Sequence, residues 1–396
     1  MVLKAFKLRL YPNKTQRNQI HVNFGCARFV WNQMLNMHIE RYKNNKKAKF
    51  QGRYSMDVML KALKIEYPWL KQAESTSLQR VNRDLDDAFQ RFFNHSLQNG
   101  FPRFKSKKNT NQSYTSKFVN NNIRIVDEHH IKLPKLGLVY FKAGRILNGK
   151  IRAVTVRVNS RKQYQASILV ESENQTFKKT KKSVGIDLGL KSLTITSDGQ
   201  KEDILKVDDR LNKQLRIWER KKSRRYENAK KAMAFDEHDK VLFPRTDLKQ
   251  FPRYQQAVRT VAKLKKHIAE RRRDNLHKLT TRLVKDYDTI VVENLSVKNM
   301  MKNHHLSASI ANASWGTLIS QLKYKCAWYG KRLIIIDPKN TSRICHECKQ
   351  KNHEFDSLSQ SEWLATREWD CPNCHAHLDR DVNAAKNILA KGLETL

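Results

Sequence analysis

The sequence predicts a multidomain α/β fold that carries a four-cysteine metal module and follows a β-rich unit interrupted by helices. Three observations lead there. Between residues 183 and 338, apolar runs of strand length alternate with long helical periods. Between 113 and 175, short β-branched runs recur, parted by turn residues, as in a barrel or small sandwich. Cys345-His346-Glu347-Cys348 and Cys371-Pro372-Asn373-Cys374 form two C-x-x-C pairs with 22 residues between them.

At 396 residues the chain has room for two or three cores. Lys and Arg number 78 against 38 Asp and Glu, a formal charge of +40 spread along the whole chain. Such a protein repels itself and calls for a polyanion. Nucleic acid over a long footprint is the expected partner, with binding that weakens steeply in salt. No apolar run approaches the ~18–20 residues of a membrane span, so no membrane partner is expected. The first eleven residues alternate like a strand and are not a signal peptide. The six cysteines then point to metal in a reducing, cytoplasmic setting rather than to disulfides. No G-x-x-x-x-G-K-[ST] occurs, so no nucleotide cofactor is expected.

In chain order, residues 1–11 read as a strand, with Phe6, Leu8 and Leu10 alternating with Lys7 and Arg9. From about 14 to 95 the period turns helical. Phe24, Arg28, Trp31, Met34 and Leu35 fit one helix, and Val81, Leu85, Ala88, Phe89 and Phe92 fit another; Tyr67-Pro68-Trp69-Leu70 separates them. Gly100-Phe101-Pro102-Arg103-Phe104-Lys105-Ser106-Lys107-Lys108 interleaves rings with cations. Arg103, Lys105, Lys107 and Lys108 are therefore candidate nucleic-acid contacts, against the plainer reading of a solvated loop. Strands are expected at 123–125, 131–133, 154–158 and 168–170. The N-terminal strand should join them, making the helices an insertion.

After the basic linker 176–182, Val184-Gly185-Ile186-Asp187-Leu188-Gly189 and Ser192 to Thr196 read as a hairpin closed by Ser197-Asp198-Gly199. Val184, Ile186 and Leu188 share one face; Gly185, Asp187 and Gly189 share the other. Residues 209–232 form a cationic helix in which Arg220, Arg224 and Arg225 are further nucleic-acid candidates, against a merely solvated face. Breaks follow at Phe243-Pro244 and Phe251-Pro252. A long helix over 254–285, a strand over 289–295, a helix over 312–329 capped by Gly330, and a strand over 332–337 complete the alternation. A last helix opens near Asp379 and Asp381, with Val382, Ala385, Ile388 and Leu389 inward.

Three acidic positions stand out. Asp187 and Glu293 each end an apolar strand, and one of Asp379 or Asp381 opens the last helix. Taken singly, two are hydrated strand ends and the third is a helix cap. Together they fit a phosphodiester hydrolase, where clustered carboxylates hold two divalent ions roughly 4 Å apart. Hard oxygen ligands favour Mg²⁺ or Mn²⁺. The glycines beside Asp187 are expected to let a phosphate backbone and the ions approach. Cys345, Cys348, Cys371 and Cys374 are expected to close a structural Zn²⁺ site with no open position. Such knuckles usually carry Gly after the second Cys. Lys349 and His375 stand there instead, which leaves His346, His375 and His377 as alternative ligands.

These motifs, in this order and over nearly the whole length, resemble TnpB, the transposon-encoded RNA-guided DNA endonucleases related to type V CRISPR effectors. The carrying stretches are Leu3 to Pro12 with Asn32, Phe101 to Lys105, Val184 to Gly189, Ile290 to Leu295, Thr341 to Cys345, Trp369 to Cys374, and Asp379 to Ala385. The resemblance implies an RNase H-like (RuvC) nuclease domain at 179–340 and 379–396 with a zinc ribbon inserted at 341–378. It implies a wedge-type β-barrel at 1–11 and 116–178, and a helical recognition insertion at 12–115. It selects Asp381, which precedes Val382-Asn383-Ala384-Ala385, to join Asp187 and Glu293 as the catalytic, metal-binding acids. It further implies a guide RNA derived from the transposon end, a double-stranded DNA target and a bacterial or archaeal host. Two departures are the length of 226–256 and of the inter-knuckle linker 353–367.

Two other functions compete. A guided DNA-binding repressor without cleavage has no need of three acids, and all three are present. A transposase of this element type uses a tyrosine nucleophile, and no His-hydrophobe-His motif with a paired Tyr is found.

Overall fold

A computed structural model describes residues 1–97, 99–109, 111–142, 144, 149–159, 163–203, 209–232, 245–339, 341–359, 362 and 365–395. The chain divides into two compact units, Met1–Glu173 and Asn174–Leu396.

The first unit opens with β1 (Val2–Leu10), whose alternate side chains Leu8 and Leu10 are buried. Three helices follow: α1 (Lys14–Asn44), α2 (Arg53–Glu66) and α3 (Ser75–Phe93). Asn13 and Gln16 form a reciprocal capping box at the start of α1. The chain then returns to strands: β2 (Gln112–Lys117), β3 (Arg124–Ile125), β4 (His130–Leu133), β5 (Gly137–Lys142), β6 (Lys150–Val158) and β7 (Tyr164–Ser172). The seven strands order as β2-β6-β7-β1-β5-β4-β3. β1 is central, paired along its length with β7, so the helices are indeed an insertion between the first strand and the rest. The sheet is open. Its end strands β2 and β3 share no ladder among the described residues, where a closed barrel was expected. The expected boundary at 116 also moves, because β2 already pairs with β6 from Gln112. The helical block holds a third helix, α2, which the sequence reading did not separate.

The second unit is built on β8 (Ser183–Asp187), β9 (Ser192–Thr196), β10 (Lys201–Asp203), α4 (Asp209–Lys231), α5 (Pro252–Asp286), β11 (Thr289–Glu293), the short α6 (Val297–Met300), α7 (His304–Ala313), α8 (Trp315–Tyr329) and β12 (Arg332–Ile336). After the cysteine module, with β13 (Glu368–Asp370) and β14 (His377–Asp379), comes α9 (Arg380–Leu393). The main sheet orders as β10-β9-β8-β11-β12. β8, β9 and β10 are antiparallel neighbours, and β8, β11 and β12 run parallel. The turn Ser197-Asp198-Gly199 joins β9 to β10, a strand not anticipated, rather than closing the hairpin of β8 and β9. Ser314 is left-handed at φ 57° and starts α8 later than the expected 312. The Phe243-Pro244 break lies outside the described residues.

Alternation along the strands makes three layers. Val184, Ile186, Ile290 and Val292 pack on Leu276, Leu279 and Leu283 of α5 and Leu318 and Leu322 of α8. The opposite face carries Val291, packed with Ile336 and Ile388 of α9. The starts of the three parallel strands are pinned by one ion pair between a buried lysine and a half-buried aspartate. The Asp288 carboxylate accepts from the Thr180 and Lys181 amides and from Lys331 Nζ, a side chain only 1% exposed. The Lys331 ammonium first, then those amides, hold Asp288 well below the usual carboxylate range.

Candidate active site and metal centre

The pin fixes register, and register sets the first two acids. Val292 lies opposite Ile186 in the parallel pair, so Glu293 and Asp187 emerge side by side where β11 and β8 end. The same alternation puts them on the face that α9 covers. Two glycines allow α9 to lie there. A Cβ on Gly185 would stand 2.1 Å from the Ala385 carbonyl oxygen, and one on Gly392 would stand 2.4 Å from Val291 Cγ1. This corrects the expectation for Gly185: its missing side chain admits a helix, not a phosphate. Gly189 likewise faces the Ser192 carbonyl oxygen, 2.7 Å from where a Cβ would be.

The α9 N-terminus separates the two candidate aspartates. Asp379 is the cap, accepting the amides of Asp381 and Val382 and pairing with Lys201 Nζ at 2.5 Å. Asp381 is the acid whose charge reaches Asp187. Burial, then Glu293, then Asp381 push the Asp187 carboxyl up to about 7, with Arg380 and the Leu188 amide opposing them. Glu293 is only 6% exposed, and burial raises it too; a hydrogen bond from Thr341 Oγ1 and the charge of Lys391 oppose that rise. Asp381 Oδ1 accepts from Arg380 Nε and Nη2 at 3.0 and 2.8 Å, and Arg367 Nη1 stands 3.5 Å from Oδ2. Glu293 and Asp381 both act on Asp187, and the three acids offer oxygen donors only, a donor type suited to hard divalent cations.

The four predicted thiols converge, with all sulfurs within 4.8 Å of one another. Cys345 and Cys374 lie 3.7 Å apart and Cys348 and Cys371 3.6 Å apart. A tetrahedral zinc with ~2.3 Å Zn–S bonds needs sulfurs about 3.8 Å apart, so the cluster can hold such a metal. Burial pushes the Cys345 thiol up, while the Asn373 side chain and then the Gln350 amide pull Cys348 down to about 6. The alternative histidine ligands are set aside among the described residues. His346 hydrogen-bonds Asn383 and Lys386, and His377 pairs with Asp370. His375 and Lys349 take left-handed backbones at φ 58° and 61°, the conformation for which glycine is usual.

The predicted cationic contacts divide. In the first unit, Trp31 Nε1 donates to the Arg103 carbonyl, and Asn32 exchanges two hydrogen bonds with the Lys105 backbone. Lys105 Nζ lies 3.5 Å from the Trp31 ring centroid, so this cation is engaged by the ring. Arg103, Lys107 and Lys108 are exposed. In the second unit Arg220 and Arg224 are exposed, whereas half-buried Arg225 donates to the Arg253 carbonyl and lies over Trp218. Sequence reasoning missed a basic cavity of about 600 Å³ lined by Lys14, Arg17, Asn18, His21, Val158 and Tyr164. It also gave no role to Thr341, Arg380, Asn383 or Asn387. A faint signal was there for the last pair, since Asn383 and Asn387 are one helical turn apart.

Three family profiles match the chain. The one described as "Probable transposase", of the IS605 OrfB type, covers residues 167–304. One described as "Cas12f1-like, TNB domain" covers 315–388, and a "Helix-turn-helix domain" of the same OrfB type covers 1–47. Over 1–47 the structure is a strand and one continuous helix. The chain is 33% identical over 402 residues to a Streptomyces pristinaespiralis protein named provisionally as an RNA-guided DNA endonuclease, covering 99% of this chain and 90% of that one. It is 30% identical over 407 residues to InsQ of Escherichia coli K12, which bears the same provisional name, covering 98% and 92%. A Cas12f1 protein solved by cryo-EM in complex with sgRNA and target DNA superposes with TM-score 0.57 at 13% identity, covering 98% of each chain.

Proposed function

This chain belongs to the TnpB family of IS605-type elements, and from that membership we propose that it is an RNA-guided DNA endonuclease that hydrolyses phosphodiester bonds in target DNA with divalent metal. The observation that carries this reading is that Asp187 and Glu293 end adjacent parallel strands on the face covered by α9, whose first turn bears Asp381, with the charges of Glu293 and Asp381 both acting on Asp187. Strand order β10-β9-β8-β11-β12 with α9 across one face supports an RNase H-like, RuvC-type nuclease domain. That domain is proposed at 179–340 and 379–396, with a zinc ribbon at 341–378. The open sheet of the first unit would be the wedge, and α1 to α3 the recognition insertion.

Asp187, Glu293 and Asp381 would hold Mg²⁺ or Mn²⁺, which when bound supplies Lewis-acid activation of phosphate and water. The chain's own contribution is rigidity and charge. Two acids ride on adjacent strand ends whose register is pinned at Asp288. The third sits in the first turn of α9, where the amide dipoles favour a negative group. Arg380 and Arg367 hold Asp381 in place through both oxygens. The four thiols would hold Zn²⁺ as a structural ion. The +40 charge suits two polyanions: a guide RNA from the transposon end, and duplex DNA read by base pairing to that guide. The reading also implies a cytoplasmic protein; among the described residues no helix is long and apolar enough to cross a membrane.

The test is to purify the full chain from its host, sequence the bound RNA, and assay guided cleavage by the wild type and by Asp187→Ala. A defined RNA ending in a variable guide, with cleavage lost and target binding kept in the variant, is expected. Cleavage retained by Asp187→Ala refutes the acid assignment, and absence of RNA at low salt refutes guidance.

A further inference from the structure

We propose that Thr341, Asn383 and Asn387 are positioning residues that set Glu293 and Asp381 relative to each other, with the first cysteine knuckle as their anchor. This rests on the reading of the three acids as the metal site. The segment 341–346 is a strap between the end of β11 and α9. At its start Thr341 Oγ1 donates to Glu293 Oε1 at 2.5 Å. Thr341 is 6% exposed, so water cannot readily take over that donor role. No hydrogen bond to Glu293 Oε2 is found among the described residues, which leaves that oxygen to a metal.

The same strap is gripped by α9. Asn387 Nδ2 donates to the Thr341 carbonyl at 2.9 Å and to the Ile344 carbonyl at 2.6 Å. Asn383 Nδ2 donates to Ile344 at 2.8 Å, and Asn383 Oδ1 accepts the His346 amide at 2.8 Å. Both side chains are buried, at 1% and 8% exposure. Burying two carboxamides is costly unless each group is paired, and here both ends of Asn383 are. Asn383 and Asn387 lie on one face of α9, and Asp381 is two residues before the first of them. One strap therefore touches Glu293 directly and holds the helix that bears Asp381.

The loop is closed through sulfur. Cys345 lies within the strap, 3.7 Å from Cys374, and Cys374 leads through β14 to Asp381. A metal on the four thiols would tie the strap to the chain entering α9. It would thus act on the acids by position alone, with no bond to substrate.

A hydrogen bond to a ligating carboxylate fixes the oxygen that faces the metal, and its loss typically weakens metal binding about 10–100-fold. The experiment uses the full-length protein with its RNA. Mn²⁺ binding is read by electron paramagnetic resonance, alongside the metal concentration for half-maximal cleavage. Thr341→Val keeps shape and removes the hydroxyl. It should raise both values about ten-fold or more, with zinc stoichiometry and target affinity unchanged, and Thr341→Ser should restore both. Asn383→Asp, which keeps the acceptor and loses the donor, should show the same shift and faster zinc loss to a thiol-competing chelator. Wild-type Mn²⁺ affinity in Thr341→Val, or a Thr341→Ser as weak as Thr341→Val, overturns the proposal. Asp187→Ala serves as the control: if it binds Mn²⁺ like the wild type, the fault lies in the metal-site reading and not in the strap.

Discussion

Replacing Gly185 by alanine tests how the site is assembled. The added Cβ would stand 2.1 Å from the Ala385 oxygen, 2.6 Å from the Leu389 nitrogen and 2.9 Å from Leu389 Cβ. Ordinary contact lies at roughly 3.5 Å, so strand and helix must part by about an ångström or more. The two closest atoms are backbone, and no rotamer change can move them. The helix has little freedom to pivot, because Gly392 rests on Val291 further along and Ala385 and Ile388 are fully buried between. Overpacking that side chains can absorb costs about 1–3 kcal/mol; this one should reach about 3 kcal/mol or more. For a unit of this size that is a drop of roughly 6 °C or more in melting temperature. Asp381 lies one turn before Ala385 on the displaced helix, and a misplacement of about 1 Å can cost about 100-fold in rate. Gly392→Ala meets only the Val291 side chain, two methyls and the Cβ, with no backbone atom in the way, and should do less on both counts. The assays are thermal unfolding and single-turnover cleavage, with target binding as control. Gly185→Ala with wild-type melting and wild-type cleavage refutes the packing argument. Wild-type melting with weakened substrate binding alone would return the glycine to the role of admitting phosphate.

Asp187→Asn should abolish cleavage yet raise the melting temperature in buffer without added divalent cation. The folded carboxyl sits at about 7 against 3.8 for the free group, so its ionisation opposes folding increasingly from pH 4 to 7 and fully above. At ~1.4 kcal/mol per unit the gain is at most a few kcal/mol, large at pH 8 and small near pH 4.5; a gain independent of pH would contradict it. Asp379→Asn should cleave nearly as well as the wild type, since Asn caps helices as well as Asp, whereas Asp381→Asn should be inactive; equal losses would mean the two roles are misassigned. Lys349→Gly and His375→Gly should each stabilise the cysteine module by about 0.5–1 kcal/mol, because each relieves a left-handed L-residue at some entropic cost. Slower zinc loss to a competing chelator reads this out, and faster loss would show that those side chains matter more than their backbones.

What could be read from the sequence follows from what period and spacing encode. Asp187 and Glu293 were visible because each ends an apolar run of strand length. The knuckles were visible because thiol spacing is local. The strand β2 was hidden because Gln112–Lys117 is polar and only Tyr114 and Ser116 turn inward. α2 carries Met56, Leu60 and Leu63 at helical spacing, but it lies in a stretch already read as helical and was not separated. The buried face of α9 was legible at Ala385, Ile388 and Leu389 but not at its asparagines, for a chemical reason. Asparagines count as polar in any periodicity, yet Asn383 and Asn387 are inside because the strap supplies their partners. Lys349 and His375 show the converse. The absence of glycine suggested a substitute ligand, whereas the backbone simply adopts the glycine-like turn with a larger residue.

The acids are placed by separate constraints. Asp187 and Glu293 share a register, and what fixes it lies at the far ends of their strands. There Asp288 takes two amides and the buried Lys331, while Lys331 also reaches the Lys178 carbonyl. Losing the partner of a buried ammonium is expensive, so register errors are disfavoured before any metal arrives. Asp381 depends instead on how α9 seats, which two glycines permit and two asparagines lock. The repulsion between Asp381 and Asp187, which adds to burial and Glu293 in raising Asp187, works against this seating. A helix held by its apolar face alone could slide to separate the charges. Directional hydrogen bonds to a strap that also holds Glu293 resist that slide, because moving the helix breaks contacts at both acids together.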